Sequence, residues 1–419
     1  MPVKFVFLRR FFVFVDRSKI ERNRSQRMDI LADRLKNIPP YLFMELRGKI
    51  RKAQAEGVDL ISFAIGDPVE PTPAYIIEAL REAVLDPKNH QYPTDEHKGM
   101  RVFREAVARW YGRKYGVPLD PETEVLALNG LKEGIHHFIM ATVNPGDIVL
   151  VTNPGYPAYK ANILMAGAEA CEVPLLDKNG FLPAFAEIPE SVCKRAKAFF
   201  LNYPNNPTGA CADQGFFAEL VAWAKAHDIL LMNDNPYSEI VFSPERKLSL
   251  MQASGAKDIC VEFNSLSKAY NMTGWRIGMA VGGEKIIHAM CRCKENVTSG
   301  IFNAIQLASI KAMDDGDREI EKMLAIYRRR REMALRAFSE MGLPVKAGEG
   351  TFYLWVPVPG GHSSLDFAAK LLEDAGVLVT PGIAYGEYGE GYIRLSLTVP
   401  DNRLEQGLDR IKKTVKKGG

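Results

Sequence analysis

Short apolar runs alternate along the chain with longer stretches of helical spacing. The runs EVLAL, DIVLVT, AFFLN, ILLMN, ICVEF and GMAVG have almost no polar interruption, the pattern of strands covered on both faces. Between them, stretches such as 216–227 and 284–296 repeat apolar residues every three or four positions, which predicts amphipathic helices. Thr72 followed by Pro73 suits a helix start, while Gly57, Gly116 and Gly342 stand where helices should stop. Strands alternating with helices predict an α/β fold, a mostly parallel sheet between helical layers.

Beyond Gly342 the pattern changes to TFYLWVPVP, a helix from about Leu365, the strand-like YIRLSLTVP and a final amphipathic helix. This predicts a smaller α+β domain, with the segment before Pro71 as its counterpart. The expected organisation is therefore a large domain over 71–314 and a discontinuous small domain formed by 28–70 and 315–419. No fixed-period repeat or low-complexity tract argues for a solenoid or propeller.

Composition adds limits. The 419 residues are 47% hydrophobic and 25% charged, ordinary for a globular protein and enough for more than one domain. The net charge of +3 is misleading, because the first 27 residues hold eight basic and two acidic side chains and leave the body mildly acidic. Such a body lacks a broad basic footprint, so no nucleic-acid partner is expected. Residues 1–27 read as an extension or misassigned start ahead of Met28. Their apolar run is broken by Arg9 and Arg10, and no stretch approaches the ~18 residues of a membrane span. Six scattered cysteines without a Cys-x-x-Cys pair suggest reduced thiols in the cytoplasm, and no metal site is expected.

Polar, Gly- and Pro-rich segments directly follow the strand-like runs: NGLKEG, NPGYPAY, NYPNNPTG, NDNPY and NSLSKAYNMTGWRIG. In open α/β sheets ligands bind beyond the carboxyl ends of strands, where loops and helix N-termini converge. Singly, these signals are ordinary. N-P-T-G makes a good turn, Asp234 could cap a helix, and one lysine is usually a solvated charge. Their joint order is specific: Ser265, Ser267, Lys268 and Arg276 in one run, preceded at 34 residues by Asp234 and at 62 by Asn206.

On these residues the chain, from about Met28 to its last helix, resembles the fold type I pyridoxal-phosphate (PLP) aminotransferases of class I/II. Within that family YPNNPTG, DNPYSEI, SLSKAYNMTGWRIGMAVG, TFYLWV and GEYGEGYIRLSLTVP look most like the LL-diaminopimelate aminotransferases. The resemblance implies a seven-stranded sheet in the large domain and PLP as cofactor.

It also implies roles. Lys268 would bind the cofactor aldehyde covalently and then carry the α-proton, which needs an amine able to lose its charge near neutrality. Asp234 would keep the pyridine nitrogen protonated; at about 4 Å and an effective dielectric near 20 such a pair is worth roughly 4 kcal/mol, about three pK units. Tyr237 and Asn206 would hold the ring oxygen and Tyr156 would stack on the ring. Gly130, Leu131 and Lys132 would open a helix towards the phosphate, with Ser265, Ser267 and Arg276 closing the cup. Arg394 and the Gly66 amide would orient the substrate carboxylate.

For the far end of diaminopimelate the resemblance suggests Lys132, Asn303 and Tyr41 near the second carboxylate and Glu96 facing the second ammonium. The loop there, YPTDEHKGM, is two residues longer than the usual run, and Asp95 competes with Glu96. Tyr92 and these distal residues would reach into a partner's site, implying a homodimer with shared sites. The expected reaction is ping-pong amino transfer from LL-diaminopimelate to 2-oxoglutarate, small-molecule amino and 2-oxo acids. The alternatives are a class I/II enzyme acting on alanine, aspartate or an aromatic amino acid, and a PLP-binding regulator.

Overall fold

The computed structural model describes residues 30–38, 42–93 and 97–418. The short strand β1 (Ile61–Ser62) comes first, then β2 (Val125–Leu128), β3 (Ile148–Asn153), β4 (Glu169–Pro174), β5 (Ala196–Leu201), β6 (Leu230–Asp234), β7 (Cys260–Ser265) and β8 (Gly278–Gly282). The chain closes with β9 (Tyr353–Pro357), β10 (Val377–Leu378), β11 (Thr380–Pro381) and β12 (Tyr392–Ser396).

Strands β2 to β8 form one sheet in the order β2-β8-β7-β6-β5-β3-β4. Only β8 runs against its neighbours; the other pairs are parallel. All six apolar runs become strands of this sheet. Their period-2 alternation feeds two cores: Ile148, Leu150, Phe199 and Leu201 face one, and Val149, Val151, Ala198 and Phe200 face the other. Helices on both sides bury both faces, which explains the unbroken apolar runs. The seventh strand, β4, has no such run because, unlike the other edge strand β2, it is only partly covered, with Glu169 exposed and most of its residues partly buried.

The helix predicted over 216–227 spans Gln214–Ala226, with the Asp213 side chain accepting from the Phe216 amide at its start. That predicted over 284–296 spans Glu284–Lys294. Gly116 and Gly342 have positive φ at helix ends, as does Gly57 two residues past one. The helix expected to start at Thr72-Pro73 spans Ala74–Leu85, with Pro73 at its N-cap position, and the Thr72 hydroxyl donates to the Asn271 carbonyl at 2.7 Å.

A second, antiparallel sheet has the order β11-β12-β9. The early strand β1 pairs in parallel with the late β10, and Arg403 of the final helix Asp401–Gly418 binds Asp59 just ahead of β1 at 2.6 Å. Chain segments before and after the large sheet are thereby joined.

Arg330, on the helix Asp317–Glu340, fastens these parts together. It is only 4% exposed and donates to Asp401 Oδ1 at 2.7 Å, to the Leu397 carbonyl at 3.2 Å and to Glu70. Removing it leaves two carboxylates without their shared cation. Arg330→Ala should lower the free energy of unfolding by about 3 kcal/mol, read as a shift of the urea midpoint; a change below about 0.5 kcal/mol would show that the cluster contributes little.

Candidate functional site

The carboxyl ends of the central strands open into a cavity of about 400 Å³. Strand β6 ends in Asp234, which the flanking strands bury to 5% exposure. The Tyr159 hydroxyl donates to Asp234 Oδ2 at 2.6 Å, while Oδ1 is buried with no protein partner. Burial drives the Asp234 pKa up to about 6, and the Tyr159 bond holds it back from rising further. The cavity thus has a carboxylate at its base that lacks one hydrogen-bond donor.

Lys268 stands on the short helix Leu266–Ala269 that follows β7. Its amine donates to the Gly66 carbonyl at 2.6 Å. Burial lowers its pKa to about 8; Asp67 opposes the shift, while Arg394, Arg276 and Arg47 add to it. The three guanidiniums and the lost water together make this a lysine that sheds its proton readily.

An anion cup lies along one wall. Gly130, at φ +83°, turns the chain from β2 into the helix Leu131–Thr142. A Cβ there would come within 2.2 Å of Arg276 Nη2, so glycine is required both by the backbone and by the guanidinium against it. Arg276 itself has φ +55° and donates through Nη1 to the Thr273 carbonyl at 3.0 Å. Ser265 caps the Lys268 helix, accepting from the Ser267 amide at 3.1 Å and donating to the Ile277 carbonyl at 3.3 Å. Leu131, Lys132, Ser265, Ser267 and Arg276 all line the cavity here.

A buried carboxylate holds this turn from behind. Glu133 accepts from the Asn129 amide, from Lys294 at 3.2 Å and from Thr298 at 3.0 Å. Burial alone would raise its pKa, but His137, Lys294 and Asn129 outweigh that and hold it at about 2.

The opposite wall carries a second cation. Arg394 of β12 is 1% exposed, not outward-facing as a lone strand arginine would suggest. It donates to Asn206 Oδ1 and to the Ala64 carbonyl, both at 2.7 Å. Its guanidinium lies 4.0 Å from the Tyr353 ring centre and 5.1 Å from that of Tyr385. Tyr237 meets Tyr353 hydroxyl to hydroxyl at 3.1 Å. Gly66 is pinned at this wall, since a Cβ would lie 1.9 Å from the Tyr353 hydroxyl.

Gly66, Tyr156, Asn206, Asp234, Tyr237, Lys268 and Arg394 therefore share one cavity with the anion cup, and Gly130 abuts it through Arg276. The Lys132 ammonium sits 5.8 Å from the Tyr156 ring centre. Tyr92, at 78% exposed, and Asn303, at the start of the helix Asn303–Asp315, do not line this cavity. Tyr41, Glu96 and the segment 1–27 lie outside the described residues.

The polar lining residues Arg47, Tyr159, Asn202 and Tyr353 are among those that escape sequence reasoning. Tyr159 had a signal, one helical turn after Tyr156, and Asn202 ends the run AFFLN. Tyr353 lies in the quoted motif TFYLWV, which did not reveal its place at the cavity, and Arg47, in a distant segment, had no signal.

Comparison with known proteins accounts for this arrangement. The family "aminotransferase class I and II" matches residues 58–411. The LL-diaminopimelate aminotransferase of Halothermothrix orenii is 48% identical over 381 residues, 91% of this chain and 97% of that one. The LL-diaminopimelate aminotransferase of Dehalococcoides mccartyi is 49% identical over 91% of this chain and 98% of its own length. Among solved structures, substrate-bound BacF from Bacillus subtilis is 39% identical, covers 92% of this chain and 98% of that one, and superposes with a TM-score of 0.89. The cavity, the sheet around it and these likenesses lead to one statement: the chain belongs to the class I and II aminotransferases, a family that works with pyridoxal phosphate.

Proposed function

We propose that the chain moves an amino group between LL-diaminopimelate and 2-oxoglutarate by a ping-pong route, with Lys268, Asp234 and Tyr237 as its catalytic residues. The observation that carries the substrate assignment is the 48–49% identity, over nine tenths of the chain, to relatives that bear the name LL-diaminopimelate aminotransferase.

The residues fit pyridoxal phosphate on three counts. Asp234 Oδ1 is buried and short of a donor, as a partner for a cationic ring nitrogen should be. Gly130 lets the Arg276 guanidinium lie against the turn that opens the cup, where a side chain would displace it. The cup of Ser265, Ser267, Arg276 and the amides opening Leu131–Thr142 supplies donors and positive charge for a phosphate. When bound, the cofactor supplies an aldehyde to take up the amino group and a ring to withdraw electrons from the α-carbon.

The chain's own tasks are binding, orientation and proton movement. A Lys268 amine with a pKa of about 8 is neutral in about a tenth of molecules at pH 7, enough to accept and return the α-proton without leaving the cavity. Arg394 holds the α-carboxylate, with Asn206 and the two tyrosine rings fixing the guanidinium's plane. Tyr237 and Asn206 take the ring oxygen, and Tyr156 covers the ring face.

The proposed assembly is a cytoplasmic homodimer. Tyr92, with 78% of its surface exposed and no place in its own chain's cavity, supports a role across a subunit boundary, and Asn303, Tyr41 and Glu96 are assigned there with it. We divide the chain at 71–314, with 28–70 and 315–419 as the smaller domain; the β1–β10 pairing supports joining the two outer segments.

Three outcomes are expected. Because Asp234 must be ionised to hold a cationic ring, cofactor affinity of the apoprotein should fall as pH drops through about 6. Tyr159→Phe removes a bond to the ionised form, so the fall should move up by about one pH unit in absorbance titrations; superimposable curves would remove Tyr159 from this role. Gly130→Ala should displace Arg276 and weaken cofactor binding by about tenfold or more, whereas unchanged affinity would mean the cup tolerates the methyl group. In single half-reactions monitored by absorbance, LL-diaminopimelate should convert the holoenzyme faster than alanine or aspartate, with Lys268→Ala as the blank. Conversion by alanine or aspartate but not by LL-diaminopimelate would refute the substrate assignment and leave the family assignment standing.

A further inference from the structure

The turns that enter β5 and β6, at the amino ends of these strands and away from the cavity, bring together a carboxylate, a thiol and an imidazole. Glu190 and Cys193 begin and end the short helix Glu190–Cys193 ahead of β5. His227 follows the helix Gln214–Ala226 and leads into β6. One ligand atom from each lies within 4.8 Å of the other two. We propose that Glu190, Cys193 and His227 form a binding site for a zinc-class divalent cation, a structural clip between two crossover connections.

The imidazole is already set for this. His227 Nδ1 lies 2.8 Å from the Trp223 carbonyl. A carbonyl only accepts, so Nδ1 carries the proton and donates. The Trp223 ring, 5.0 Å away between centres, packs against the imidazole and fixes its plane. Such a hydrogen bond on one ring nitrogen is what orients metal-binding histidines through the other. With Nδ1 donating to that carbonyl, Nε2 faces Glu190 Oε2, 3.4 Å away. A proton on Nε2 bridges that pair as a salt bridge, and a divalent cation can take the proton's place between the same two atoms.

The spacing suits one ion. Ligands bound tetrahedrally at about 2.1 Å stand about 3.4 Å apart, the separation His227 and Glu190 already have. Bringing the Cys193 sulfur to a zinc–sulfur distance takes at most about an ångström of side-chain movement from the present arrangement. The thiol is buried and makes a long 3.6 Å contact to the Ile188 carbonyl, a weak bond to give up. Coordination would release its proton to solvent. The Lys194 ammonium sits 3.8 Å from Oε1, the other oxygen of Glu190, and leaves Oε2 to the ion. Glu190 is 63% exposed, so the ion can enter and water can complete its shell. One sulfur and one nitrogen ligand select zinc over magnesium or calcium, which prefer oxygen.

The reaction itself requires no such ion, so occupancy should act on stability alone. The test is titration of the holoenzyme with cobalt(II), whose tetrahedral thiolate complexes absorb in the red, clear of the cofactor. One equivalent should bind, be displaced by zinc, and raise the thermal midpoint. Cys193→Ser and His227→Gln should each weaken binding by about 100-fold or more, and the exposed Glu190→Gln by about tenfold, with turnover unchanged in all three. Absence of the red bands in the wild-type protein, or bands and thermal shift that persist undiminished in both Cys193→Ser and His227→Gln, would overturn the site. The aminotransferase assignment does not depend on either result.

Discussion

A buried carboxylate oxygen left without a protein donor is the constraint around which this fold is arranged. Placing Asp234 at the end of the sheet's middle strand removes it from water, and the resulting rise in its pKa to about 6 records that cost. A purely structural aspartate at such a place would have its second oxygen satisfied, as Glu262 does nearby through Ser249, Asn233, Tyr111 and the Leu250 amide. Asp234 receives only the Tyr159 bond on one oxygen. What it lacks is a cationic donor, and the rest of the cavity is shaped to bring one in.

The parallel sheet explains how so few residues suffice. Parallel strands send their following loops to one edge, so β2, β3, β5, β6 and β7 deliver Gly130, Tyr156, Asn206, Asp234 and Lys268 to one opening although the chain separates them widely. The antiparallel sheet adds what the first cannot, a buried arginine facing the same opening from another direction. Arg394 reaches Asn206 and the Ala64 carbonyl together, so it joins three remote segments of the chain at the point proposed for a substrate carboxylate. Its position costs desolvation, offset by two hydrogen bonds and two tyrosine faces.

Much of this was legible in the sequence, and the failures have causes. The six unbroken apolar runs gave six strands because each is covered on both faces. EACEVP stayed hidden because β4 is a partly uncovered edge strand that keeps polar side chains, whereas β2 at the other edge is buried and keeps its apolar run. Thr72-Pro73 marked a helix start, and the helix begins at Ala74, because proline's fixed φ suits a helix entry. In the site, residues adjacent in one motif were readable, while Arg47 and the cavity role of Tyr353 within TFYLWV were not, since only folding sets them beside Lys268 and Arg394. The carboxylate, thiol and imidazole near β5 and β6 left no motif either, because two crossover connections, not one loop, assemble them.

The distribution of charge around the two titrating groups carries the reasoning one step further. Lys268 is surrounded by the guanidiniums of Arg394, Arg276 and Arg47, against a single opposing carboxylate at Asp67. Arg47 also faces Asp67 at 3.8 Å, and Arg276 and Arg394 are the proposed anchors for a phosphate and a carboxylate. A ligand that neutralised both anchors would weaken their repulsion of the lysine and raise its affinity for a proton. The empty cavity would therefore hold the ammonium's proton more loosely than the filled one. One arrangement of arginines would release a proton before binding and retain one after it, because the charge on the ligands alters the field that the lysine feels.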